Sequence, residues 1–262
     1  CINVGCIPTK KLVNLSKEAQ YVNNNVAGEY FTLSIEKKDA LVSALRAKNF
    51  AMLDGNANVD GINGTAKFID KNSVEVTAID GSKSLLAAQT IVINTGSINE
   101  KPSFEVSSNL AYDSTGILNL KTLPKHLAVV GGGYIGLEFA SMFAEFGSKV
   151  TIVARSGVLK NEDEDVKESV KALLQTQGVE ILEGCEVKNL KDCALIFTQN
   201  GETKCLEADA FLLATGRVAA TAELNLSAAG VQTDAKGNVS VNEFLQTAQP
   251  HIYAVGDVRG GG

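Results

Sequence analysis

Apolar residues recur at helical spacing in two stretches near the start of the chain: Leu12, Leu15 and Ala19 within residues 8–21, and Leu41, Ala44, Leu45 and Leu53 within residues 35–53. Separations of three and four, and of eight between Leu45 and Leu53, gather each set toward one side of a helix, so both stretches are predicted as amphipathic helices. Between residues 59 and 94 the texture changes to short apolar runs at 66–69, 74–78 and 91–93, broken by Asp60-Gly61, Asn63-Gly64 and Asp80-Gly81. Asn-Gly and Asp-Gly supply the positive-φ conformations of tight turns, so this region reads as β-strands and hairpin turns. A polar stretch over 96–108 contains Pro102, and Pro124 follows, which puts a predicted domain edge near residue 120.

From residue 127 onward strands and helices alternate. Apolar runs at 127–130, 149–153 and 179–182 are separated by helical patterns over 134–146 and 163–177. Gly147 and Gly178 stand just past each helix, where a left-handed residue closes the last turn. This order predicts an α/β fold with a doubly wound parallel sheet and right-handed crossovers. Short strands at 194–197 and 209–213 precede Gly216 and a mixed segment that runs to residue 262.

Composition narrows the picture. The 262 residues suit one large domain or two modest ones, and 45% hydrophobic with 21% charged residues is the balance of a folded globular chain. Acids outnumber bases by 30 to 24, and no basic block is longer than Lys10-Lys11 or Lys37-Lys38. Nucleic acid and anionic lipid are therefore disfavoured as partners. Without a long apolar stretch or a signal-like start, the expected location is cytoplasmic. Five cysteines and no secretory signal argue against a disulfide framework and for reactive or buried thiols.

Residues 129–136, Val-Val-Gly-Gly-Gly-Tyr-Ile-Gly, carry the clearest chemistry. Gly131, Gly133 and Gly136 follow an apolar strand, open a helix and precede a second strand, which is the setting of a dinucleotide-binding turn. The first glycine makes the tight turn, the second lets the backbone approach a pyrophosphate, and the third lets helix and strand pack closely; Tyr134 and Ile135 lie between them. The plainer alternative is a glycine-rich turn that binds nothing. An NAD-specific unit places an acidic residue at the end of the second strand, about 20 residues past the first glycine. Here the strand runs instead into Ala154 and Arg155, and Lys160 follows. Arg155 is a planar, permanent cation suited to a 2′-phosphate, so NADP is expected in preference to NAD. The competing reading leaves Arg155 in solvent and lets Glu162 or Asp163 reach back to the ribose.

Cys1 and Cys6 are five residues apart. In a regular helix their Cα atoms would lie about 8.7 Å apart, beyond the roughly 7 Å that a disulfide tolerates. Pairing therefore needs an irregular turn, for which Gly5 and Pro8 provide the means. Two unpaired thiols are the alternative. Zinc is disfavoured because Cys185, Cys193 and Cys205 make no second close pair and the chain has only His126 and His251. Both histidines precede predicted strands, where a solvated or capping role is the default. No metal site is expected.

Four segments, residues 1–10 (CINVGCIPTK), 130–139 (VGGGYIGLEF), 214–217 (ATGR) and 254–257 (AVGD), resemble in order and spacing those of the pyridine nucleotide-disulfide oxidoreductases. That family of FAD-dependent flavoproteins includes glutathione reductase, dihydrolipoamide dehydrogenase and mercuric reductase. The run at 112–118 is most similar to the bacterial branch with mercuric reductase and the flavoprotein that protects against reactive chlorine. The resemblance implies that a nicotinamide gives a hydride to FAD, that the flavin reduces a Cys1–Cys6 disulfide, and that the exposed thiol attacks an oxidised substrate. Cys1 resembles the substrate-facing thiol and Cys6 the one against the flavin. Lys10 and Glu138 resemble an ion pair at the reactive edge of the flavin, where a buried carboxylate would otherwise carry a desolvation penalty; their plainer reading is a surface lysine and a helix glutamate. Tyr134 resembles the ring that covers the nicotinamide pocket, and Asp257 the carboxylate bonded to the ribityl chain, although a helix cap is the simpler role. Ala66, within residues 63–66, together with Thr95, Gly96 and Gly216, matches segments in which backbone approaches a cofactor.

The resemblance divides the chain into a partial FAD-binding domain (1–120), a nicotinamide-binding domain (121–216) and a return segment of the FAD domain (217–262). It further implies that the family's own FAD fingerprint would lie before Cys1 and its dimerisation domain, with the acid–base histidine, after Gly262. The sequence is accordingly expected to be an internal stretch of a homodimeric enzyme that reduces a small disulfide or a thiol-bound metal. By itself it is expected to hold FAD poorly, and a non-catalytic nucleotide-binding module is the competing reading.

Overall fold

The computed structural model describes residues 2–22 and 26–260. Helices α1 (Cys6–Ala19) and α2 (Ala27–Asp54) come first. Short strands follow: β1 (Thr65–Phe68), β2 (Ser73–Thr77), β3 (Lys83–Ala87), β4 (Ile91–Ile93), β5 (Ser97–Asn99), β6 (Glu105–Ser107) and β7 (Ala111–Tyr112). The predicted alternation is present as β8 (His126–Val130), α3 (Tyr134–Phe146), β9 (Lys149–Ala154), α4 (Glu164–Thr176) and β10 (Glu180–Glu183). Then come β11 (Cys185–Lys191), β12 (Ala194–Gln199), β13 (Glu202–Glu207), β14 (Ala210–Leu213), β15 (Arg217–Ala219) and β16 (Ile252–Ala254). They form two compact units, one of Cys1–Met52 with Lys101–Gly216 and one of Leu53–Glu100 with Arg217–Gly262.

The first unit is built on a five-stranded parallel sheet in the order β10-β9-β8-β14-β7. Alternate residues point to opposite faces. Leu127, Val129, Ile152 and Leu212 join Leu12, Phe31, Phe139, Phe143 and Leu174 of the helices in one core. Ala128, Val130, Val153 and Phe211 join Leu190, Leu195 and Phe197 in another. Both faces are thus covered, which is why these strands read as unbroken apolar runs. The second cover is a four-stranded sheet, β13-β12-β11-β6. The periodicity predicts only the strand at 194–197, and the structure flanks it with β11 and β13. The turns between them use Asp192 at φ 49° and Asn200-Gly201 at φ 53° and 81°, an Asn-Gly hairpin signal of the kind read earlier in the chain. Helix α2 starts at Ala27 rather than residue 35, and its buried residues, Phe31, Ser34, Ile35 and Lys38, lie in its N-terminal half. Of the predicted stripe Leu41 and Leu45 are only half-buried and Ala44 and Leu53 are exposed, because little packs against the C-terminal half of the helix.

The second unit holds an antiparallel sheet β1-β2-β3, an antiparallel pair β15-β5 and a parallel pair β16-β4 around Phe68, Ile93, Ile252, Ala254 and Val258. Strand β3 is exposed at every position and so shows no alternation to read. Among the described residues no helix is long and apolar enough to cross a membrane, and no group of three or more His, Cys, Asp or Glu could hold a metal ion.

Candidate active site

The turn from β8 to α3 sorts its glycines by what lies beside them. Gly131 has φ 124°, and a Cβ there would sit 2.3 Å from the Ala214 carbonyl oxygen; one on Gly136 would sit 2.4 Å from the Gly131 oxygen. A Cβ on Gly133 would meet nothing within 4 Å. Two glycines are therefore required by close backbone packing and the third faces open space at the start of α3. Gly133 offers no side-chain cap to that helix, which leaves its first amide groups to an outside acceptor. This space, together with the positive end of the helix, fits the pyrophosphate of a dinucleotide. Ala214 follows β14 and donates its amide to the Val130 oxygen at 2.9 Å, and Gly216 stands two residues on at φ 145°. Ile135 is partly buried in the helical core.

Tyr134 is exposed and its hydroxyl donates to Glu162, a bond that pushes the phenol above its ordinary range. The Glu162 carboxylate is therefore engaged by the first residue of α3. Arg155 and Lys160 are exposed on the loop after β9. That loop leans on the glycine turn: the Leu159 amide donates to the Gly132 oxygen at 2.8 Å, and a Cβ on Gly132 would meet the Gly157 oxygen at 2.5 Å.

Cys6 opens α1, is exposed and is disulfide-bonded. Cys1, the partner expected from the resemblance, lies outside the described residues. Gly5 enters the helix at φ −134° and ψ −116°, far from helical values, and the Thr9 hydroxyl donates to its carbonyl at 2.8 Å. Among the other cysteines Cys185 is buried, whereas Cys193 and Cys205 are exposed, and all three are free. Burial pushes the Cys185 thiol up, which leaves it unreactive.

One turn beyond Cys6, Lys10 ion-pairs with Glu138, itself one turn into α3. The side chains are 70% and 30% exposed, so solvent screens the pair and its stabilisation is at most about 1 kcal/mol. Its consequence is positional: it ties the start of α1, which Cys6 opens, to the start of α3, which follows the glycine turn. The Ser16 hydroxyl, 2.5 Å from Glu145 Oε2, adds a second tie further along the same two helices.

In the second unit the exposed Asp257 accepts from the Ser97 hydroxyl at 3.0 Å, and that hydroxyl accepts from Arg217 Nε at 2.9 Å. Arg217 also donates to Asn99 Oδ1 at 2.9 Å. Asp257 thus lies within a short 3₁₀ helix and turns its carboxylate toward β5 rather than capping a helix. Thr95 donates to the Ala220 oxygen at 2.9 Å, Gly96 has φ 71° with open space beside it, and Ala66 is partly exposed on β1. Ser97, Asn99 and Glu162 have no recognisable spacing in the sequence; only folding brings them to these partners. His126 is the first residue of β8, with Nε2 3.0 Å from the Thr151 hydroxyl, and His251 Nε2 lies 2.7 Å from the Lys71 oxygen.

Comparison with known proteins gives a consistent answer. The family model described as pyridine nucleotide-disulphide oxidoreductase matches residues 1–262. The chain is 41% identical to the probable pyridine nucleotide-disulfide oxidoreductase RclA of Escherichia coli, over all of this chain and 58% of that protein. It is 39% identical to a mercuric reductase of Lysinibacillus sphaericus, over 98% of this chain and 49% of that one. The solved structure of the HOCl-induced flavoprotein disulfide reductase RclA from E. coli superposes with a TM-score of 0.88 at 40% identity, covering 100% of this chain and 58% of that one. The chain thus spans about half the length of the curated relatives it matches.

Proposed function

Because the chain belongs to the pyridine nucleotide-disulfide oxidoreductase family, we propose that it carries the nicotinamide-binding and redox-thiol parts of an NADPH-dependent flavoprotein disulfide reductase. The observation that carries this reading is the junction of α1 and α3. Disulfide-bonded Cys6 begins one helix, the glycine turn begins the other, and Lys10–Glu138 joins them one turn in.

In this reading residues 121–216 bind the nicotinamide cofactor, and residues 1–120 with 217–262 contribute to the FAD site. Gly131, Gly133, Ile135 and Gly136 shape the pyrophosphate turn, with Gly216 closing the neighbouring strand end. Tyr134 covers the nicotinamide pocket and swings aside when the cofactor enters. Arg155 and Lys160 hold the 2′-phosphate. Ala66, Thr95, Gly96 and Asp257 hold FAD, which when bound supplies a two-electron relay between nicotinamide and disulfide. The net reaction on the protein is NADPH, a proton and the Cys1–Cys6 disulfide giving NADP⁺ and two thiols. With a disulfide substrate, the Cys1 thiolate attacks one sulfur, the substrate S–S bond breaks and one thiol leaves; Cys6 then attacks the Cys1 mixed disulfide, restoring the protein disulfide and releasing the second thiol. The positive charge of Lys10 beside Glu138 stabilises negative charge that develops near Cys6. The names of the relatives support a small disulfide or a thiol-bound metal ion as substrate.

The test uses the full-length protein that contains this chain. Cys6→Ser is expected to abolish NADPH-driven reduction of a small aromatic disulfide while leaving NADPH affinity within about twofold of wild type, since the thiol acts after binding. Unchanged disulfide reduction in Cys6→Ser would refute the thiol assignment. Arg155→Glu is expected to weaken NADPH roughly tenfold and to spare NADH, because it exchanges attraction to the 2′-phosphate for repulsion. Equal or tighter binding of NADH by the wild-type protein would refute the NADPH assignment.

A further inference from the structure

The loop over residues 155–160 is short, exposed at Arg155 and Lys160, and adopts left-handed conformations at Gly157 (φ 84°) and Leu159 (φ 47°). Such a loop does not hold two cations in one place unless it is fastened on more than one side. The glycine turn fastens it on one side through Leu159 and Gly132. Glu183, the last residue of β10, fastens it on the other. Its Oε1 accepts the Val158 amide at 2.9 Å, and its Oε2 lies 3.1 Å from Lys171 of α4. A Cβ on Gly157 would sit 2.8 Å from the same Oε1, so the loop's glycine is where the carboxylate comes closest. Lys171 also holds Glu168 at 3.2 Å.

A carboxylate at the end of β10 stands one strand away from the Ala154–Arg155 strand end, at Glu183↔Ala154 in the parallel register. An unoccupied negative charge there would oppose an incoming phosphate. Here one oxygen is engaged by a backbone amide and the other by the Lys171 ammonium, which Glu168 shares, so both oxygens of Glu183 are held and the side chain serves as a post.

We propose that Glu183 is a positioning residue for nucleotide specificity: by holding the Val158 amide it sets the loop that presents Arg155 and Lys160 to the 2′-phosphate of NADPH. This rests on the NADPH reading above. When the loop is unfastened, only the fraction of molecules with both cations in place binds the phosphate, and apparent affinity falls by that fraction. NADH has no 2′-phosphate, so its binding does not depend on where the loop presents the two cations.

The test is calorimetric titration of the full-length protein with NADPH and with NADH, with thermal unfolding as a check on folding. Glu183→Ala is expected to weaken NADPH roughly five- to tenfold, the effect of losing one charge-assisted hydrogen bond, and to leave NADH within about twofold. Glu183→Asp keeps the charge but is one methylene too short to reach Val158, and is expected to lose the preference to a similar degree. Glu183→Gln keeps an acceptor for the amide and is expected to restore most of it. If Glu183→Ala does not fold, the Asp and Gln variants decide. A wild-type protein without preference for NADPH overturns the reading on which this proposal rests. A wild-type protein that prefers NADPH, with variants that weaken both nucleotides equally or neither, overturns the role of Glu183 itself.

Discussion

Gly131, Gly133 and Gly136 are the same residue type within six positions, yet the structure assigns them opposite tolerances. A methyl group on Gly136 would be forced to 2.4 Å from the Gly131 carbonyl oxygen, whereas Gly133 adopts φ −86° beside open space. Gly136→Ala is expected to destabilise the first unit by about 1–3 kcal/mol, as overpacking does. Gly133→Ala is expected to fold normally and to weaken NADPH and NADH alike, because the methyl occupies the space a pyrophosphate needs. Thermal unfolding and nucleotide titration separate the two outcomes. His126 supplies a pH dependence. Burial, and then the neighbouring Lys149 charge, hold its imidazole below the ordinary value. Just below an ordinary pKa of about 6.5 the unfolded chain therefore binds a proton that the folded chain refuses, so stability rises with pH across that window and falls as the solution is acidified. Urea midpoints measured between pH 5 and pH 7.5 should show this slope, and His126→Gln should flatten it.

Helices α1 and α3 are joined by an exposed ion pair and by a buried apolar seam, and the two differ in weight. Leu12 and Leu15 are 1% and 2% exposed within the core that includes Phe139 and Phe143. Leu15→Ala is expected to destabilise the unit by about 2–5 kcal/mol through lost burial and a residual cavity. Lys10→Met is expected to change stability by no more than about 1 kcal/mol, because the pair it removes is screened by water. Urea unfolding of both variants checks the ranking. Helix α4 contrasts with α3. Its strong apolar and polar sidedness buries only Leu174 among its residues, and Lys171 leaves its surface to meet Glu183 across the end of β10.

The two compact units each have a core of their own, one around the parallel sheet and one around Phe68, Ile252 and Val258. Ile252→Ala is therefore expected to raise amide exchange in β4 and β16 well before it does so in β8, β9 and β14, since local opening follows local burial. Exchange that rises uniformly along the chain would show a single cooperative core instead. The chain passes between the units more than once, so neither unit is continuous in sequence.

Strands β8 and β9, helix α3 and the glycine turn are legible in the chain because their determinants are local: apolar runs, a left-handed Gly147 after the helix, and three glycines at fixed spacing. The exposed strand β3 and the sheet strands β11 and β13 are not, since an exposed strand has no burial pattern and a hairpin's identity depends on its neighbours. The resemblance pairs Lys10 with Glu138, but the pattern of the chain itself does not, since the two residues are 128 positions apart. Nor does that pattern pair Glu183 with Val158, or Asp257 with Ser97, 160 residues apart. Local patterns decide which elements form, because backbone conformation and side-chain period act over a few residues. Partners far apart in the chain are decided only when those elements pack, because an ion pair or a hydrogen bond depends on distance in space and carries no trace in sequence order.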